Sequence, residues 1–220
     1  MVKLTNPVPG TTLKRYPDGS IFQGFGENKL DYSFIQDSSG RKCWNGHSGW
    51  DLLKGKGTPI LAVADGQVVN ISNDRVSLGG VTVRIFHPQI GLYSGYGHLD
   101  TLNVISGQLV KAGEQIGTMG NTGLVISGGV KYWGNAPAGK GTHLHLTIAE
   151  IEHGDAPFSF RIGGKRWRIK NLDNGTWGGI DPTPYFTESI KPETPEISRL
   201  MKLIEMLRSI IRTRGGEPVA

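Results

Sequence analysis

The sequence predicts a mainly β protein built on an antiparallel sheet, with one amphipathic helix near the C-terminal end. Two observations predict the sheet. Glycine makes up 33 of the 220 residues, as in chains with many tight turns, and the stretches TVRIFH and THLHLTI alternate polar and apolar side chains. A third observation predicts the helix, because apolar side chains from residue 197 onwards recur every three or four positions.

Strands and turns follow one another between residues 58 and 118, where apolar runs such as TPILAVADG and GEQIGTMG end in glycine. Before about residue 46 the chain is irregular, with two short strand-like pieces, SIFQGFG and YSFIQD. Further on, SFRIGGKRWRI predicts a hairpin that turns at Gly163 and Gly164. The glycine-rich segment 124–141 is predicted to be a long loop, a kind of segment that often carries function.

The last part of the chain changes character. Thr194 and Pro195 are typical of a helix start and Gly215 of a helix end, so we predict one amphipathic helix over 195–213. Its charged positions are mostly basic. Two interpretations stay open, namely burial of the apolar face by docking or self-association, and contact with an anionic membrane surface. We therefore predict a domain over 1–188 and a linker with this helix over 189–220.

Composition argues against several classes of protein. A single cysteine, Cys43, rules out an intramolecular disulfide framework. No apolar stretch is long enough for a signal peptide or a membrane span, so we expect a protein without a signal peptide. The net charge of +5 fits an anionic partner. The absence of a basic run interleaved with aromatic residues argues against nucleic acid as that partner.

Four histidines and one aspartate stand in short motifs that suggest a metal site. GHSGWD places His47 and Asp51 four residues apart, GYGHLD contains His98, and THLHL contains His143 and His145. Residues two apart on a strand share a face, so the last pair is expected on one side about 7 Å apart. A catalytic zinc site uses imidazole nitrogens and often one carboxylate, with a fourth position open to water. The two histidines left over would move protons or stabilise an oxyanion.

Four longer stretches resemble, in order, the signatures of the lysostaphin-type (LytM-like) zinc metalloendopeptidases, which cut the peptide cross-links of bacterial peptidoglycan. These stretches are HSGWDLLKGKGTPILAVADGQVV, YSGYGHLD, VKAGEQIGTMGNTG and GTHLHL. The resemblance covers roughly residues 20–150. It implies a sheet of the duplicated hybrid motif type, one Zn²⁺ per chain, and a stem or cross-bridge peptide of peptidoglycan as partner.

Carried over position by position, the resemblance implies that His47, Asp51 and His145 bind the metal and that His98 and His143 are the catalytic pair. It does not say which of the pair is the base. All five residues are present, which argues against the inactive relatives that have lost ligands. Segment 124–141 is longer than the corresponding link in many members, and it borders the substrate groove there. Glycine cross-bridges and D-alanyl-diaminopimelate links therefore both stay open as substrates.

Three aromatic residues are candidate substrate contacts. Tyr96 lies two positions before His98, so in a regular strand it shares a face with that histidine, although a packed tyrosine is an equal alternative. Tyr132 and Trp133 lie in the predicted long loop, where they would either stack on substrate or pack within the loop.

These observations together predict a zinc-dependent peptidoglycan endopeptidase. Lacking a signal peptide and a wall-binding domain, it is expected to be a phage endolysin that stays in the host cytoplasm until release and then acts at the cell wall or periplasm. A virion-associated lysin and a bacterial wall hydrolase are the alternatives.

More distant alternatives belong to other classes of protein. Two turn–strand repeats also resemble carrier domains, which need a modified lysine at a hairpin tip that we do not find, and histidine phosphocarriers, which need no ligand such as Asp51. An iron oxygenase with two histidines and one carboxylate would fit the ligand set alone.

Overall fold

In the computed structural model, the described residues 2–27, 46–156 and 158–186 form one large sheet with a small hairpin beside it. A single turn of helix, α1 (Thr183–Phe186), follows the last described strand. The strands are β1 (Ile21–Gln23), β2 (Trp50–Leu52), β3 (Pro59–Leu61), β4 (Gly66–Ser72), β5 (Val81–His87), β6 (Leu92–Leu102), β7 (Leu109–Val110), β8 (Gln115–Met119), β9 (Val125–Ser127), β10 (Val130–Tyr132), β11 (Leu144–His153), β12 (Phe160–Ile162), β13 (Lys165–Ile169) and β14 (Gly179–Ile180).

The large sheet has the strand order β1-β2-β11-β6-β5-β4-β7, and its strands pair antiparallel. The pairs β3–β8 and β8–β6 extend it on one side of β6. The strands β13 and β14 both pair with the second half of β11. The predicted mainly β, antiparallel fold is confirmed, and β11 lies near its middle.

Alternation along β11 separates the core from the functional face. Leu144, Leu146 and Ile148 are fully buried in the main hydrophobic cluster, where each contributes about 2 kcal/mol through burial of its side chain. His145 and Thr147 point to the opposite face, because neighbouring side chains of a strand project in opposite directions. The leucines thus fix the strand from behind while the histidine stays available for chemistry.

A second hydrophobic cluster covers part of that opposite face. Phe86, Tyr93 and Ile151 are buried there, with Phe160 and Trp167 of the β12–β13 hairpin packed against them. The hairpin turns at the predicted pair of glycines, which have φ of 57° and 77° as a two-residue hairpin turn of this kind requires. This hairpin pairs with the end of β11 that lies away from His145 and covers that part of the sheet face.

The segment 124–141 differs from its predicted loop structure, since it contains the short hairpin β9–β10. Gly128 and Gly129 make its turn with φ of 58° and 78°. Two strands of three residues are too short to show a clear alternating pattern in the sequence, so only the glycines were visible there.

The piece YSFIQD, the boundary between 188 and 189, and the helix 195–213 lie outside the described residues, and all three stay predictions. Within the described ranges, no helix has both the length and the apolar character needed to cross a membrane.

Candidate metal centre and active site

Three adjacent strands bring the predicted ligands together. Asp51 on β2 pairs with His145 on β11, and His145 pairs in turn with Gly97 on β6. His47 lies in the bend that leads into β2, four positions before Asp51. The antiparallel register, rather than closeness in the sequence, therefore creates this cluster.

The three predicted ligands present their polar atoms to one another. His47 Nε2 lies 2.9 Å from Asp51 Oδ1, and His145 Nδ1 lies 3.0 Å from the same oxygen. The two ring nitrogens are 3.0 Å apart. Among the described residues, this trio is the one group of histidine, cysteine and acidic side chains whose atoms converge closely enough to hold a metal ion.

The outer nitrogens of both imidazoles are held by neighbouring groups. His47 Nδ1 donates to the carbonyl oxygen of Gly24 at 3.1 Å, so its Nε2 keeps a lone pair in the neutral ring. His145 Nε2 lies 3.0 Å from Thr147 Oγ1 and 3.3 Å from Ser48 Oγ. Metal-binding histidines in proteins are oriented in this way through their second nitrogen.

The electrostatics of the trio favour a cation between these atoms. Burial on its own would raise the pKa of the Asp51 carboxyl group, but the imidazoles of His47 and His143 hold that pKa well below its usual range. Burial lowers the pKa of His47, yet the Asp51 carboxylate outweighs burial and raises it overall. Asp51 is therefore ionised and acceptor-only. Two imidazole nitrogens and one carboxylate oxygen are the donor set that suits a zinc ion with one position open.

His98 and His143 lie beside this trio, with their ring planes tilted by 45° to each other. Their ring centroids are 4.5 Å apart, and His143 Nε2 lies 3.5 Å from Asp51 Oδ1. His98 Nδ1 donates to the carbonyl of Thr122, and His143 Nδ1 donates to that of Gly141, both at 2.8 Å. An imidazole whose single proton is on Nδ1 has its Nε2 lone pair left for proton transfer.

The backbone of His98 has an unusual conformation. Its φ is +60°, which is uncommon for a residue with a side chain and tends to occur at functional sites. The N–H of His98 donates to the carbonyl of Gly79 at 2.8 Å, which holds this conformation. Burial, together with the nearby imidazoles of His143 and His145, lowers the pKa of His98 well below its ordinary value, so the ring is neutral.

This backbone twist corrects the expectation that Tyr96 and His98 share a face. In a regular strand Tyr96 and His98 would share a face, but the left-handed residue breaks the alternation and turns His98 to the open side. Tyr96 faces the core, is 1% exposed, and accepts a hydrogen bond at 2.9 Å from the N–H of Val63. This packing fits the alternative interpretation, but Tyr96 is also among the residues that line the cavity described below, so a substrate role for it stays a prediction.

Two buried polar residues that the sequence did not single out support the site. Thr122 Oγ1 donates to the carbonyl of Leu99 at 2.8 Å and accepts from the N–H of Val81 at 2.9 Å, which places the Thr122 carbonyl against His98. Asn121 donates to carbonyl groups of segment 124–141, those of Ala136, Pro137 and Lys140. Both residues belong to the GNTG motif, whose buried polar pair between glycines was the available signal.

The histidines open into a cavity of about 1030 Å³ on the uncovered end of the sheet face. Of the segment 124–141, it is lined by residues 124–128 together with Gly139 and Gly141. Tyr132 and Trp133 are not among the described residues that line it, and a substrate role for them stays a prediction.

Several aromatic residues of the described chain line this cavity, among them Phe22, Phe158 and Trp177. Phe158 and Trp177 have φ of 65° and 58°. Nothing in the sequence marks a non-glycine residue for this conformation, so both were missed.

Part of the chain is similar to known proteins. The model of a family described as Peptidase family M23 matches residues 45–157. The murein hydrolase activator NlpD of Escherichia coli is 44% identical over 115 residues, which are 52% of this chain and 26% of that protein. The uncharacterized lipoprotein YgeR of the same organism is 34% identical over an alignment of 99 positions, which covers 38% of this chain and 39% of that protein.

Among solved structures, the chain is similar to the catalytic domain of the antimicrobial peptidase lysostaphin from Staphylococcus simulans. It is 23% identical, has a TM-score of 0.47, and the match covers 74% of this chain and 88% of that domain. The chain spans between about a quarter and two fifths of the length of the two curated relatives.

One prediction is wrong in the light of these relatives. YgeR is named a lipoprotein, and lipid-anchored proteins belong to the cell envelope. The expected residence in a host cytoplasm until release is therefore not supported by the proteins that this chain resembles, and we withdraw it.

Proposed function

Because the chain belongs to peptidase family M23, we propose that it is a zinc metalloendopeptidase that hydrolyses peptide bonds of peptidoglycan. The observation that carries the proposal is the meeting of three acceptor atoms, on His47, Asp51 and His145, beside a pair of imidazoles at the end of an open cavity. A chain that had kept only the fold would have no need of this costly burial of polar groups.

In this proposal, His47 Nε2, Asp51 Oδ1 and His145 Nδ1 hold one Zn²⁺. A zinc ion bound there supplies Lewis acidity to the scissile carbonyl and to the attacking water. Thr147 and Ser48 keep the His145 ring in its orientation, and the carbonyl of Gly24 does the same for His47.

His98 and His143 carry the proton transfers. The neutral ring of His98 can accept a proton at Nε2, since its Nδ1 proton is already donated to the carbonyl of Thr122. His143 is oriented in the same way by the carbonyl of Gly141. One of the two, as a neutral ring, takes the proton of the attacking water at Nε2. The other donates a hydrogen bond to the developing oxyanion from Nε2, for which its ring must carry a proton on both nitrogens.

The biological setting that we propose is the bacterial cell envelope, with the chain acting as a wall hydrolase. The names of the relatives, a lipoprotein and a murein hydrolase activator, favour this setting over a phage endolysin or a virion-associated lysin. A carrier or phosphocarrier role has no use for Asp51 between three histidines.

A regulatory role is the second candidate function, because NlpD is named an activator of murein hydrolases and is 44% identical over the matched region. The complete ligand set favours a peptidase, and one experiment separates the two roles. The zinc-loaded full chain is incubated with purified walls of contrasting cross-link chemistry, with and without a separate wall amidase, and the products are identified by mass spectrometry.

A peptidase releases fragments with new peptide ends when it acts alone, and Asp51→Asn abolishes them. An activator alone releases no such fragments but increases the amount of product that the amidase releases. The unaltered chain and the Asp51→Asn variant would then increase it equally. The second result would contradict the proposed function.

A further inference from the structure

Arg84 lies on the floor of the cavity, close to the candidate metal centre. On the open face of the sheet, Thr147 of β11, Gly95 of β6 and Arg84 of β5 form one row of paired residues. The adjacent row contains His145 and Gly97. Arg84 is thus two strands from the strand that carries His145, about 10 Å by strand spacing, with no side chain on Gly95 between them.

The guanidinium group of Arg84 is not used by the fold. Within residues 2–27, 46–156 and 158–186, the structure shows neither an ion pair nor a hydrogen bond for it. Two other cations line the cavity and both are engaged: Lys54 donates to the carbonyl of Pro9 at 2.8 Å, and Lys56 pairs with Asp100 at 3.2 Å. A half-buried guanidinium without a partner is costly, so a ligand that supplies one is favoured.

The hydroxyl of Tyr93 lies over the same part of the floor. A Cβ atom built on Gly95 would be 2.5 Å from Tyr93 Oη, so the hydroxyl occupies the space above this glycine. The Tyr93 ring is fixed edge-to-face against Phe86 with ring centroids 5.7 Å apart. Burial raises the pKa of Tyr93, which the charge of Arg84 opposes only in part, so the hydroxyl keeps its proton and can donate it.

The balance of charge in the cavity is suited to an anionic ligand. Asp51 is the one carboxylate among the described lining residues, and in the proposed function its charge is taken up by zinc. A guanidinium group and a phenol on residues that both neighbour Gly95 and both line the cavity can together bind a carboxylate, because ionised acceptors make the strongest hydrogen bonds with such donors.

We propose that Arg84, with the Tyr93 hydroxyl beside it, binds a free carboxylate of the peptide substrate close to the bond that is cut. This rests on the proposed function and narrows its substrate class. A D-alanyl-diaminopimelate cross-link carries a carboxylate on the carbon next to the scissile amide nitrogen, whereas a glycine bridge offers no charge there. The chain is therefore specific for diaminopimelate-type cross-links.

The test uses two matched cross-linked peptides that differ only in whether this diaminopimelate carboxylate is free or converted to a carboxamide. The zinc-loaded full chain should hydrolyse the carboxylate peptide with a kcat/KM about 10- to 100-fold higher. Arg84→Gln should reduce the value for the carboxylate peptide to that for the carboxamide, without change in zinc content. Arg84→Lys should restore part of the preference. Arg161→Gln, which removes an exposed charge outside the cavity lining, is the matched control.

Equal hydrolysis of both peptides by the unaltered chain would overturn the inference, as would an equal loss on both peptides in Arg84→Gln. If neither peptide is hydrolysed, the proposed function fails and equilibrium binding to the same zinc-loaded protein decides the inference instead. Tighter binding of the carboxylate peptide that Arg84→Gln abolishes would then support it, and equal binding of the two peptides would refute it.

Discussion

His145 is held at both ring nitrogens, and this determines what its removal does. Its Nδ1 faces Asp51 and its Nε2 faces the hydroxyls of Thr147 and Ser48. A substitution here removes a ligand and leaves Asp51 with fewer partners in a buried place.

We predict that His145→Ala lowers zinc affinity by at least about 100-fold, since even residues that only orient a ligand contribute 10–100-fold. Zinc per chain, measured by mass spectrometry of metals after dialysis, and wall-lytic activity should fall together. His153→Ala is the matched control, because His153 is an exposed residue at the far end of the same strand. A full equivalent of tightly bound zinc in His145→Ala would show that the ligand assignment is wrong.

The neighbouring imidazoles of His98 and His143 lead to a different prediction, in which loss of turnover is separated from loss of zinc binding. His98→Asn and His143→Gln should keep zinc and the fold but reduce turnover by about 100-fold or more, the scale of general acid–base groups. Asparagine is chosen for His98 because it tolerates the positive φ found there. Steady-state hydrolysis of isolated walls measures the effect, and near-normal rates in both variants would remove these residues from the mechanism.

At the scale of elements, the pairing of β2 with β11 depends on Gly49, which lies between His47 and Asp51. A Cβ atom at Gly49 would be 2.1 Å from the carbonyl oxygen of Leu146, a backbone atom that cannot move aside cheaply. The glycine in GHSGWD therefore allows the close approach that brings Asp51 to His145.

Gly49→Ala should separate these two strands and lower the free energy of unfolding by about 3 kcal/mol, at the upper end for overpacking. Zinc affinity should fall with it, because Asp51 moves away from His145. Urea unfolding followed by circular dichroism measures the first effect. Gly55→Ala is the control, since a Cβ there meets no heavy atom within 4 Å. Equal unfolding free energies for the two variants would contradict the prediction.

The end of β5 is held by a buried histidine that takes no part in the site. His87 is 0% exposed, with Nδ1 2.9 Å from the carbonyl oxygen of Asp65 and Nε2 2.8 Å from Ser94 Oγ. Burial lowers the pKa of His87, which the interactions with Asp65 offset only in part. At a pH between the pKa of His87 in the folded protein and its pKa in the unfolded chain, the unfolded chain binds this proton more readily than the folded protein does.

The contribution of His87 is therefore complete above about pH 6.5 and is lost as pH falls through the lowered folded pKa. His98 and His145 shift in the same direction, so the prediction concerns a difference between two proteins. From about pH 7 to about pH 5, the unfolding free energy should fall less in His87→Gln than in the unaltered chain. Parallel curves from urea unfolding would show that His87 makes no contribution.

At the scale of the whole molecule, the sequence predicted the antiparallel class, the β12–β13 hairpin and the group of five polar residues. Those features follow from local patterns, namely alternation, glycine pairs and short motifs. The pairing of Asp51 with His145, 94 positions away, could not be read from spacing and came only through the resemblance. Arg84 was missed for the same reason, because only the register of β5 with β6 places it on the cavity floor.

Some of the features that the sequence did not predict correctly share one physical cause, a positive φ at a residue other than glycine. Alternation predicts one face for Tyr96 and His98. His98 itself has a φ of +60°, however, and this turns its side chain to the opposite face. Phe158 and Trp177 share this conformation, and no residue preference announces it in advance. Sequence patterns describe regular strands well, and this site is built where the strand is irregular.

The links between Asn121, the segment 124–141 and His143 have a consequence for how chains of this kind diversify. One amide group fastens three carbonyls of this segment, and the carbonyl of Gly141 at its end orients the His143 ring. Replacing this segment with a shorter one therefore also removes the hydrogen bonds that hold it to Asn121 and that orient His143. If His143 has the role proposed above, a graft that alters selectivity also changes the orientation of this side chain, so selectivity and turnover would have to evolve together.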